Sequence, residues 1–171
     1  KCAMKMTDLC EMHYSRVHSA PILSGAYTSS LEKGGDLYCD YTALYNNSSV
    51  NGLGLATAAD SLIAIKKLVY DDKAITLEKL TEILKSNWEN QKPLRLMIKN
   101  KFPKFGLNDE NVNKIVKDIV DVMYEVIGGK PNLKGGVYRL GLFSINWRWE
   151  FGEKTGASAD GRLAGETLSQ N

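Results

Sequence analysis

The stretch "EKTGASADGRLAGETLSQN", Glu153 to Asn171, decides how this chain is read. It is polar, it carries glycines at 156, 161 and 165, and it frames Asp160-Gly161-Arg162. Glycine reaches backbone conformations closed to other residues, so this spacing describes a shaped loop and not a frayed tail. Asp160 and Arg162, on either side of Gly161, are the loop-shaping candidates: both side chains can hydrogen-bond nearby backbone. No helix or strand follows to close a fold around them. A loop of this kind at the end of a chain reads as an interior loop of a larger protein. The missing initiator Met before Lys1 points the same way.

Just upstream, in "LFSINWRWEF" (142–151), Phe143, Ile145, Trp147, Trp149 and Phe151 alternate with Ser144, Asn146, Arg148 and Glu150. A period of two predicts a strand with one apolar face. If that face packs on helices, Ser144, Asn146 and Arg148 are the candidate lining of a substrate cavity. A lone strand leaves its N–H and C=O groups unpaired, so it needs neighbours.

The rest of the chain has helical periodicity. Met6, Leu9, Cys10, His13 and Val17 mark a helix over 1–18, broken at Ser19-Ala20-Pro21. "ILSGAYTSSLEKGG" predicts a second helix, stopped at Gly34-Gly35, and residues 36–54 read as irregular. Thr57 or Asp60 opens a third helix with Leu55, Ala58, Leu62, Ile65 and Val69 on its apolar side, broadened by Ile63. Thr76 is placed to cap a fourth, with Leu77, Leu80, Ile83 and Leu84 inward. A short helix lies between Pro93 and Pro103. The clearest pattern runs from Val112 through Ile115, Val116, Ile119, Val120 and Met123 to Val126 and Ile127, with Asn108 or Asp109 as cap and Gly128-Gly129 as stop. The fold class is mostly α with a short β component.

Bulk properties bound the function. A chain of 171 residues, 43% apolar and 25% charged, forms one domain with a real core. The net charge of +2 has no basic run behind it, which argues against nucleic acid and anionic membranes as partners. No segment approaches the ~20 apolar residues of a membrane span. Cys2, Cys10 and Cys39 form no C-x-x-C pair and read as free thiols of a cytoplasmic protein. His13 and His18, five apart, do not share a helix face as metal ligands would, so no metal site is expected. There is no G-x-S-x-G, P-loop or H-E-x-x-H motif. "GLGLATAAD" (52–60) lacks a third glycine, and no strand is predicted before it.

Three blocks, "GLATAADSLIAIKKLVYDDKAITLEKLTEILKSNWE", "PKFGLNDENVNKI" and "GGVYRLGLFSINWRWEFGEKTGASADGRLAGETLSQN", resemble the pyruvate formate-lyase-like glycyl radical enzymes. The likeness is to the glycerol dehydratase and C–X lyase branch, and runs from about residue 19 to the end. It implies an excerpt of a ten-stranded α/β barrel, with residues 1–171 as one partial domain. It implies a homodimeric enzyme of anaerobes acting on a small organic substrate. The parent would carry a glycyl radical installed by an activating enzyme that uses S-adenosylmethionine and an iron–sulfur cluster, with no cofactor bound by this chain. The family's G-C-x-E and R-V-x-G-[YF] motifs are both missing, which places the upstream cysteine loop and the downstream glycine loop outside the sequence. No catalytic residue is carried over, and the fragment alone is expected to be inactive. The alternative is a stand-alone helical scaffold or interaction domain derived from the family. A thiol enzyme built on Cys39 is the third and poorest reading.

Overall fold

The computed structural model describes residues 1–38, 40–143 and 146–169, without the side chains of 15 and 16. It contains two compact units, Lys1–Asn51 with Asp121–Gly141, and Gly52–Val120 with Leu142–Asn171.

The first unit begins with α1 (Cys2–Val17), α2 (Pro21–Ser24) and α3 (Thr28–Lys33). The single helix read in 22–35 is thus two: α2 stops at Gly25, and Gly34, at φ +67°, closes α3. The segment read as irregular contains β1 (Ser48–Gly52), which pairs with β2 (Tyr138–Leu142) in a two-stranded sheet. Ser48 N–H donates to Val137 O at 3.1 Å. A Cβ on Gly136 would strike Asn46, and one on Gly141 would strike Asn51. Residue numbers therefore rise together along both strands, and the pair is parallel. Asn132 holds the register. Its Nδ2 donates to Asn46 O at 2.6 Å and Ser48 Oγ at 2.8 Å, while its Oδ1 accepts from the amides of Lys134 and Gly136.

The second unit contains α4 (Leu55–Ile65), which runs into a π-helical segment (Lys66–Asp71), then α5 (Leu77–Lys85) and α6 (Lys92–Lys101). The helix α7 (Glu110–Ile127) contributes residues to both units. Its cap is Asp109, whose Oδ1 accepts the amides of Asn111 at 3.0 Å and Val112 at 3.2 Å. Thr76 caps α5 by accepting Lys79 N–H at 3.2 Å. The core gathers Ala64, Leu68, Leu80, Ile83, Trp88, Ile98, Phe102 and Ala159. A smaller cluster joins Ala59, Ile63 and Val112. The helix α4 opens at Leu55, ahead of the predicted Thr57 or Asp60, and its buried side is Ala56, Ala59, Ile63 and Ala64; of the predicted stripe Ile63 is buried, while Leu62 is exposed.

The strand expected at 142–151 is corrected. The strand lies earlier, at 138–142, and Asn146 and Trp147 form a turn into α8 (Arg148–Glu153). Alternation is a local pattern; among the described residues of this segment Phe143, Trp147, Trp149 and Phe151 are all exposed. Ser144 and Ile145 lie outside the described residues.

Candidate functional site

After α8 the chain enters the glycine-punctuated loop, which packs around a single cation. Arg162 is 4% exposed. Its guanidinium donates to five backbone carbonyls: Gly152 at 3.5 Å, Thr155 at 3.3 Å, Leu163 at 3.1 Å, Glu166 at 2.6 Å, and Gly156. Its Nε also reaches Ser158 Oγ at 3.1 Å. A planar fork of N–H groups suits this task, with the two Nη1 hydrogens shared among the Gly152, Leu163 and Glu166 carbonyls. Asp160 folds back inside the same turn, where its Oδ1 accepts from Ser158 Oγ at 2.5 Å and Arg162 N–H at 3.3 Å. Gly161, at φ +93°, supplies a backbone angle that other residues avoid.

The loop sits in a socket built by α6 and by the segments that precede and follow it. Trp88 Nε1 donates to Ser158 O at 3.3 Å, Arg95 to Gly161 O at 3.2 Å, and Lys104 Nζ to Asp160 O at 3.2 Å. Asn87 Oδ1 accepts Ala164 N–H at 2.8 Å. Lys104 also lies 4.0 Å from Asp60 Oδ2, and Asp60 Oδ1 accepts Phe105 N–H at 2.7 Å. Burial pushes the Asp60 carboxyl above the usual carboxylate range, and the nearby Asp160 charge adds to this. The Phe105 amide and Lys104 oppose it. Asp60 is a residue that sequence reasoning placed only as a possible helix cap. Its signal was there to read: a carboxylate inside the apolar run "AADSLIAI" needs a buried partner.

The other predicted positions fall elsewhere. Asn146 and Arg148 are exposed, in the turn and at the start of α8, and no longer alternate along a strand; Ser144 lies outside the described residues. The Arg148 carbonyl accepts Leu168 N–H at 3.3 Å. Cys2 and Cys10 are exposed free thiols, and Cys39 lies outside the described residues. His18 meets Tyr14 edge-on with ring centroids 5.1 Å apart. Among the described residues no three His, Cys, Asp or Glu side chains gather in a way that holds a metal ion. "GLGLATAAD" does follow a strand, β1, contrary to the sequence reading. A Cβ at Gly54 would meet the Leu168 side chain at 3.4 Å, so the terminal loop passes beside this helix start.

The first unit has its own polar set, missed in the sequence. Tyr138, 1% exposed, donates to Asp8 Oδ1 and, at 3.0 Å, to Met4 O. Burial raises its phenol well above the ordinary tyrosine range, and Asp8 reinforces the shift. Ser48 Oγ lies 2.8 Å from both Glu11 carboxylate oxygens, and Lys134 Nζ pairs with Glu11 Oε1 at 2.9 Å. Glu11 and Lys134 border a cavity of about 220 Å³ with Tyr14 and Tyr38.

The profile of a family described as "Pyruvate formate lyase-like" matches residues 1–152. The chain belongs to the pyruvate formate lyase-like family. The match starts at residue 1, earlier than the likeness read near residue 19. Trans-4-hydroxy-L-proline dehydratase of Clostridioides difficile is 32% identical over 163 residues, 95% of this chain and 20% of its own length. The crystal structure of that hydroxyproline dehydratase with trans-4-hydroxy-L-proline bound superposes with a TM-score of 0.86, again over 95% of this chain and 20% of that one. The glycerol-bound B12-independent glycerol dehydratase of Clostridium butyricum is 31% identical with a TM-score of 0.84, over 95% and 20%. A glycyl radical enzyme from Archaeoglobus fulgidus, 24% identical, shares the fold with a TM-score of 0.86. The chain thus spans about one-fifth of the length of the curated relatives it matches. Its mostly helical architecture with a short parallel sheet is a portion of the fold of these pyruvate formate lyase-like enzymes.

Proposed function

We propose that this chain acts as part of a glycyl radical dehydratase or C–X lyase, contributing helical shell and a clamped loop while the reacting cysteine and glycine lie in other parts of the polypeptide. One observation carries the reading: nearly the whole chain superposes on two dehydratases at 31–32% identity, yet on only 20% of each. Two further facts support it. No cysteine here is followed two residues later by Glu, and the best-satisfied buried groups, Arg162 and Asp160, are tied up in holding backbone. The parent enzyme would be a cytoplasmic homodimer acting on a small organic substrate. Its glycyl radical would be installed by a separate activating enzyme that uses S-adenosylmethionine and an iron–sulfur cluster. The chemistry supplied by such a radical is hydrogen-atom abstraction through a cysteine; the part of this chain is to position neighbouring structure and keep water out.

The test is the complete reading frame, expressed and activated anaerobically. It is expected to carry G-C-x-E upstream and R-V-x-G-[YF] downstream, and to show an organic radical by electron paramagnetic resonance. A frame that starts and stops at these 171 residues, or a full protein that never forms the radical, sinks the proposal. The first of those outcomes would favour a stand-alone scaffold.

A further inference from the structure

The two faces of the β1–β2 pair differ in what covers them. Ser48 and Tyr138 meet α1 through Glu11, Asp8 and Met4. Side chains alternate along a strand, so Ser49, Asn51, Arg139 and Gly141 lie on the opposite face. The geometry agrees: a Cβ added to Gly141 would strike Asn51 Oδ1 and lie 3.5 Å from Ser49 Oγ. Burial follows the same alternation, with Ser48 and Tyr138 buried and Ser49, Asn51 and Arg139 exposed. In an α/β barrel the helices cover the outside of the strands, and the other face turns to the interior. The chain shares the fold of the pyruvate formate lyase-like barrel enzymes. Helix α1 therefore marks the outer face of β1 and β2, and the Arg139 face is the inner one.

That inner face offers donors. Ser49 Oγ donates to Asn51 Oδ1 at 2.9 Å, which occupies the amide oxygen and leaves Asn51 Nδ2 without a partner among the described residues. The Arg139 guanidinium has none among them either. Neither strand, SSVNG or YRLGL, carries an Asp or Glu to neutralise it. A cation turned into a closed interior is costly unless an anion meets it, and a guanidinium matches the oxygens of an acid group with two parallel N–H donors. Gly141 adds no side chain to the face, and Asn51 lies across it. We infer that Arg139 and Asn51 hold the acid group of the substrate, which makes that substrate a small organic acid bearing a carboxylate or sulfonate. The inference rests on the proposed radical enzyme for its reaction and goes beyond it in naming the substrate class.

The test is titration calorimetry on the complete polypeptide before activation, with matched probes: glycerate against glycerol, and hydroxyethanesulfonate against ethylene glycol. At least one anion is expected to bind roughly 100-fold tighter than its neutral counterpart. Arg139→Gln should abolish that margin and Arg139→Lys should keep part of it. Gly141→Ala, which displaces Asn51, should weaken the anion about tenfold. Urea midpoints of both Arg139 variants should match the native protein. Anions that bind no better than the neutral probes overturn the inference. So does an Arg139→Gln variant that loses stability and not affinity, which would pair Arg139 with an acidic side chain of the protein. Binding needs no radical, so a polypeptide that holds the anion through Arg139 and never forms the radical refutes the proposed function alone.

Discussion

Asp60 Oδ1 accepts the Phe105 amide N–H at 2.7 Å, joining the second turn of α4 to a segment 45 residues further along the chain. The contact is made by a carboxylate that burial penalises, so its acceptor role and its charge have opposite effects on stability. Asp60→Asn removes the charge and keeps an acceptor; Asp60→Ala removes both and strands the amide. The alanine variant is expected to lose about 1–3 kcal/mol in urea unfolding, and the asparagine variant much less. The pH dependence fixes the sign. The folded-state carboxyl titrates above its unfolded value, so its stabilising contribution is complete below the unfolded value and is lost as pH rises through the folded one. The Asn variant should gain on the native protein as pH rises across that window. A constant difference would contradict the burial argument.

Arg162 is the counterpart in the terminal loop. Replacing it with Ala removes a donor from the carbonyls of Gly152, Thr155, Gly156, Leu163 and Glu166, of which Gly152, Thr155 and Leu163 keep a backbone amide. A loss of about 3 kcal/mol or more is expected, with Lys restoring under half of it because three ammonium donors cannot reproduce the fork. Hydrogen exchange at the Gly161 and Gly165 amides, which donate to Ser158 O and Thr155 O, is the direct readout. Unchanged exchange in Arg162→Ala would dismiss the clamp.

Gly152 tests the packing of α8 on the loop. In a helix Gly→Ala ordinarily stabilises by about 0.5–1 kcal/mol. Here the added Cβ would strike Glu166 O, and would lie 2.9 Å from Thr167 Cα and 3.0 Å from Leu168 N, all backbone atoms that cannot step aside alone. Gly152→Ala should therefore destabilise, against the propensity trend. A stabilised variant in thermal unfolding would mean that the loop does not pack there.

Tyr138→Phe removes the hydroxyl that binds Asp8 and Met4 O while keeping the ring. A cost of about 1–3 kcal/mol is expected, with faster amide exchange confined largely to α1. Since the folded phenol titrates above its unfolded value, its contribution is intact at neutral pH and fades only in strong alkali. In an alkaline phenolate titration, one of the eight tyrosines should appear only with unfolding. Eight freely titrating tyrosines would place Tyr138 in solvent.

Helix positions were legible wherever a local rule sufficed. Asp109 and Thr76 cap because a short acceptor side chain precedes an apolar period, and Gly34 and Gly129 occupy the left-handed region that ends a helix. Strand positions were not legible. Ser48–Gly52 has no alternation to speak of, and it becomes β1 because Tyr138–Leu142 lies beside it in register, with glycines at 136 and 141 allowing close approach. Conversely, the alternation over 143–151 runs into a helix, since residues 148–153 are helical. Around the candidate site, Asp160, Gly161 and Arg162 could be picked out from glycine spacing alone, while Asp60, Trp88 and Lys104 lie 56 or more residues before Asp160.

By itself, the sequence determined the helix caps at Thr76 and Asp109 and the stops at Gly34 and Gly129, that the terminal loop is shaped, and which family the chain joins. Each of these is encoded within a few consecutive residues. Only the tertiary structure decided which side of α1 and α4 is buried, where the strands pair, and that Arg162 serves five carbonyls at once. Those outcomes depend on groups far apart in the chain competing for one buried position, and a local pattern carries no information about its distant competitor.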